Sequence, residues 1–108
     1  MRVGFQDADF DALAALWTRA LPERYRVSAE LLRTHTVESP VFDWGASFIE
    51  QGREGPVAFA AVKRSANPVL FKGPDPDTAH LSALVFEDPA LGIDLMAEVK
   101  HVLRSRGL

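Results

Sequence analysis

The chain has no cysteine, no surplus of basic residues and no long apolar run. Without cysteine there is no disulfide, no thiolate metal site and no cysteine nucleophile. Twelve Lys and Arg stand against fifteen Asp and Glu, a net charge of −3. That balance leaves no basic field for nucleic acid or for an anionic membrane. Nothing approaches the roughly 18 consecutive apolar residues of a membrane-spanning helix. The segment Met1-Arg2-Val3-Gly4-Phe5-Gln6-Asp7 turns acidic before the apolar run of a signal peptide could form, so the expected location is the cytoplasm. His35, His80 and His101 are too dispersed for a metal-binding pair, and no Gly-x-Ser-x-Gly elbow marks a serine hydrolase. There is no internal repeat and no low-complexity tract.

What remains is an ordinary globular composition, 47% hydrophobic and 25% charged over 108 residues. That length fits one domain, residues 1–108, with a modest core. Arg2 to Gln6 alternates weakly and predicts a short edge strand, after which Asp7 and Asp9 are candidate helix caps. Phe10, Leu13, Leu16, Trp17, Ala20 and Leu21 then share one helical face, and Pro22 stops that helix. A linker through Tyr25 leads to a second, shorter helix capped by Ser28 and carrying Glu30 in its first turn. Ser39-Pro40 and Asp43-Trp44-Gly45 break the chain after it.

Ala46–Gln51 and Pro56–Arg64 read as strands joined by the turn Gly52-Arg53-Glu54-Gly55, which predicts an antiparallel hairpin. The second of them is almost continuously apolar, as in a central strand covered on both faces, and its alanines would let a helix approach closely. Val69-Leu70-Phe71 reads as a stub, and Gly73–Thr78 as a proline-stiffened loop. His80–Phe86 is a further strand. After Glu87 and Asp88, the residues Leu91, Leu95, Val99, Val102 and Leu103 recur at helical spacing. Asp88-Pro89 offers an N-cap followed by proline at the first helical position.

A strand delivered to a helix amino terminus gathers backbone N–H groups where an anion can bind. The strand Ala83-Leu84-Val85-Phe86, the compressed Ala90-Leu91-Gly92, the pair Leu95-Met96 and the terminal Leu103-Arg104-Ser105-Arg106-Gly107 together resemble the acetyl-CoA motif of the GNAT (Gcn5-related) N-acetyltransferases. The resemblance implies an α+β fold, β-α-α-β-β-β-α, with a mixed, largely antiparallel sheet flanked by helices and incomplete at its carboxyl end. It implies acetyl-CoA as acyl donor and an amine as acceptor. Leu84, Val85, Phe86, Ala90, Leu91 and Gly92 would contact the cofactor. Tyr25, Phe42 and Trp44 would form an aromatic wall of the acceptor cleft, unless they cover the core edge instead. Glu50, His80 and Ser82 are the groups available for proton transfer.

The chain departs from the motif at two points. Glu87 falls where the family has Arg or Gln, and Asp94 adds a second carboxylate in the first helical turns, so a diphosphate there would meet repulsion. The sequence therefore also supports a second reading, a non-catalytic module of the same fold used for interaction or dimerisation. Exposed strand edges invite another strand, which predicts a homodimer by sheet continuation or domain exchange.

Overall fold

The computed structural model describes residues 1–22, 25–66 and 74–107. The elements run β1 (Arg2–Val3), α1 (Phe10–Ala20), α2 (Ala29–His35), β2 (Phe48–Gly52), β3 (Gly55–Ala66), β4 (Pro74–Phe86) and α3 (Pro89–Ser105). The expected element order is therefore the observed one. The strands form one sheet in the order β1-β2-β3-β4, and every described pairing is antiparallel.

Local chemistry sets the helix starts. The side chains of Asp9, Ser28 and Asp88 accept from the backbone N–H groups of Ala12, Leu31 and Ala90, one cap for each helix. Period-two alternation along β3 then sorts the core into two layers. Phe59 and Ala61 face α1 and α2, packing with Phe5, Phe10, Leu13, Leu16 and Leu32. Ala58, Ala60 and Val62 face α3, packing with Leu95 and Val99. The small alanines let α3 lie close, as the strand composition anticipates. Trp17 lies over Phe59 with ring centroids 6.4 Å apart and planes 27° from parallel.

One boundary differs markedly from the sequence reading. The strand expected from His80 starts at Pro74, because β3 is long enough to pair with it as far as Ala66↔Pro74. Proline is tolerated at the first residue of a strand, so its presence does not end the sheet there. The proposed stub Val69-Leu70-Phe71 lies outside the described residues.

The break around Asp43 closes the far end of α3. Val41–Asp43 runs beside β3, with Asp43 N–H donating to Val62 O and Arg64 N–H to Val41 O. Asp43 is buried, only 7% exposed. Its carboxylate accepts from the Gly45 and Ala46 N–H groups at 3.1 Å and from Arg106 Nη1 at 2.6 Å. Arg64 Nη1 stands 3.9 Å away. A buried charge of this kind persists because all of these partners satisfy it.

Candidate functional site

Strand β4 links two regions that could act chemically. Along its middle, the ladder advances from Ala61↔Ala83 to Val62↔Leu81, one residue on β3 against two on β4. Ser82 is the extra residue of this β-bulge, a feature that bends a strand and is enriched beside active sites. Ser82 and Ala83 form part of the floor of a cleft of about 440 Å³ between the sheet and the α1–α2 layer. Trp17, Tyr25, Val27, Leu31 and Leu32 supply its apolar walls, while Arg26, His35 and Lys63 are its basic residues. Tyr25 is 51% exposed and Leu31 45%. The Trp17 indole N–H donates to the Tyr25 carbonyl, and the Tyr25 N–H to the Pro22 carbonyl at 2.9 Å, so the turn after α1 holds the tyrosine at the cleft. The Thr36 hydroxyl is turned away, donating to Leu32 O at 2.7 Å.

The expected site residues divide between this cleft and other places. Ser82 and Tyr25 line it. His80 is the register partner of Lys63 and shares its face of the sheet. Glu50 does not join them. Ile49 enters the α1–α2 core, so Glu50, one residue on, projects on the opposite face. There it accepts from Arg2 Nη2 at 3.0 Å and lies 3.2 Å from the Met1 amino group, while Arg2 also reaches Asp94 at 2.6 Å. Burial works against the charge of the Arg2 guanidinium, but its bonds to Asp94 and Glu50 outweigh that and raise its pKa. Glu50 is thus one of two acids in a four-group ion cluster, with Met1, Arg2 and Asp94, that ties β1 and β2 to α3.

The aromatic wall is likewise split. Phe42 is a core residue, edge-on to Phe5 at 5.3 Å, and Trp44 packs edge-on against Phe42 at 5.1 Å. Of the three aromatics only Tyr25 is among the described residues of the cleft.

The second region is the β4–α3 turn. Ala90, Leu91 and Gly92, expected as a phosphate-holding loop, form the first turn of α3. Their donors are already engaged: Ala90 N–H with Asp88 Oδ1 at 2.9 Å, and Leu91 and Gly92 N–H with Asp88 O at 2.9 and 3.3 Å. Pro89 has no N–H to offer. Gly92 serves packing, since a Cβ there would stand 2.6 Å from the Phe86 ring. Glu87 is exposed and pairs with Arg19 Nε at 2.8 Å. Of the remaining residues on β4, Val85 enters the α1–α2 core, whereas Leu84 and Phe86 pack towards α3. The outer edge of β4 has no described partner strand. Beside it, Leu84, Phe86, Gly92, Ile93 and Met96 border a groove of about 650 Å³, with Ile93 74% exposed.

Among the described residues no group of three His, Asp or Glu could hold a metal ion, and no helix is long and apolar enough to cross a membrane.

A four-stranded antiparallel sheet with two helices on one face and a third running back from its last strand on the other is a GNAT-like fold. The particular likeness is to a solved structure described as the GphF GNAT-like decarboxylase in complex with isobutyryl-CoA, with a TM-score of 0.65 at 23% sequence identity. The match covers 92% of this chain and 56% of that one, so the chain spans little more than half the length of the structure it resembles. No family model and no curated protein matches the chain. The likeness establishes the fold, as the motif resemblance anticipates.

Proposed function

We propose that the chain is the acceptor-binding part of a GNAT-like, acyl-CoA-dependent acyltransferase domain that transfers an acetyl group to an amine-bearing substrate. The observation that carries this reading is the cleft over β4, where a bulge at Ser82 lies beside an exposed tyrosine. The isobutyryl-CoA bound to the similar decarboxylase supports an acyl-CoA as donor. The donor's thioester would supply the acyl group. His80 is the candidate base for the acceptor's ammonium proton, and the β4 backbone from Leu84 to Phe86 offers contacts along its outer edge. The diphosphate would have to be held by groups other than the α3 amino terminus. Those groups would come from a second chain or a longer parent protein. The edge of β4 and the apolar groove beside it favour a second copy as partner, joined by sheet continuation.

A second reading has its own observation. The engaged donors of Ala90–Gly92 and the carboxylates of Glu87 and Asp88 favour a non-catalytic module of the same fold. Calorimetric titration with acetyl-CoA separates the two. Micromolar binding supports the acyltransferase, whereas no heat at millimolar ligand leaves the module. Sedimentation tests the partner: a dimer at micromolar protein is expected, and a monomer there overturns it.

A further inference from the structure

The lining of the cleft holds basic side chains and no described acid. Arg26, His35 and Lys63 are basic residue types, and among the described residues no carboxylate lines the cavity. Lys63 is half-buried in β3 and makes no ion pair among the described residues. The chain as a whole is acidic, so a lining with no described carboxylate runs against the average. A lysine in a partly desolvated cleft attracts an anion more strongly than one in open water and repels a cation by the same argument. The walls, meanwhile, are apolar: Tyr25 and Leu31 are half-exposed, and Trp17 backs them.

We infer that this cleft binds a ligand with an apolar body and a carboxylate group, the carboxylate held by Lys63 with Arg26 at the rim. The inference rests on the acyltransferase reading only in placing the acceptor here. It narrows that acceptor from any amine to one that also carries a carboxylate, as an amino acid does. A simple alkylammonium would bring its charge against Lys63 without a compensating carboxylate.

Two probes with the same body and opposite heads test this directly: 3-phenylpropionate and 3-phenylpropylamine. Trp17 fluorescence reports occupancy in a Trp44→Phe background, which silences the other indole. The carboxylate should bind at least about tenfold more tightly than the amine, the effect expected of one partly desolvated charge. Lys63→Met, which keeps the apolar stem, should remove most of that preference. Arg26→Gln, on an exposed turn, should reduce it by a smaller factor and serves if Lys63→Met fails to fold. Equal or tighter binding of the amine overturns the inference, as does binding of neither probe at millimolar concentration. Failure of acetyl-CoA to bind the same sample would remove the acyltransferase reading and leave the carboxylate preference standing.

Discussion

The α3 end of β4 and the stretch that borders the cleft make opposite use of their polar groups. At the α3 end, donors and charges are consumed internally: Asp88 takes the first helical N–H groups, Glu87 takes Arg19, and Gly92 presses on Phe86. At the cleft, an exposed tyrosine, a bulged serine and a lysine face a cavity. The difference teaches that a strand-to-helix turn can be given over to packing while polar side chains farther back on the same strand line a cavity. A glycine after a strand fits a phosphate, but it equally fits an aromatic ring that needs the room of an absent Cβ.

This contrast breaks if substitutions on the α3 side alter binding, or if substitutions in the cleft alter stability. Asp43→Ala should have the largest effect, costing about 3 kcal/mol in urea unfolding, because Arg106 and two backbone N–H groups lose a buried partner. Gly92→Ala is the sharper test. Helix propensity alone would stabilise it by about 1 kcal/mol. Contact with the Phe86 ring should reverse the sign to a net loss of about 1 kcal/mol. A gain in stability would mean that the glycine is not there for packing. Asp88→Ala should cost about 1 kcal/mol as a lost cap. Lys63→Met should change thermal stability by no more than about 0.5 kcal/mol, while removing most of the head-group preference of the cleft.

Most of the fold was legible in the sequence because its signals are local. Asp9, Ser28 and Asp88 precede apolar helical stripes, and the stripe from Phe10 to Leu21 and that from Leu91 to Leu103 are the faces that pack. The antiparallel hairpin follows from Gly52-Arg53-Glu54-Gly55 between two apolar runs. The early start of β4 was not legible, because Pro74, Pro76 and the aspartates between and after them read as a loop until a long partner strand is present to pair with them.

The site was read less well, for the same reason. Which face a strand residue takes depends on register, so Glu50 and Ser82 look alike as polar strand residues, yet one joins an ion cluster and the other a cleft. Phe42 looks like a surface aromatic in a broken segment, but Phe5, 37 positions earlier in the chain, buries it. Lys63 gives no signal in the sequence, because a basic residue at the end of an apolar strand is commonly solvated. Its composition carries no signal of the cavity that α1 and α2 build over it. The bond from Arg106 to Asp43 spans 63 residues and left no local trace.

The most direct measurement is heteronuclear NMR of the nitrogen-labelled protein titrated with acetyl-CoA and, separately, with 3-phenylpropionate, read amide by amide. The account predicts that both ligands move the amides of β4 and the cleft, including Ser82, Ala83 and Lys63. The amides of Ala90, Leu91 and Gly92, already bonded to Asp88, should stay in place. Shifts concentrated at Ala90–Gly92 with an unmoved cleft would contradict it.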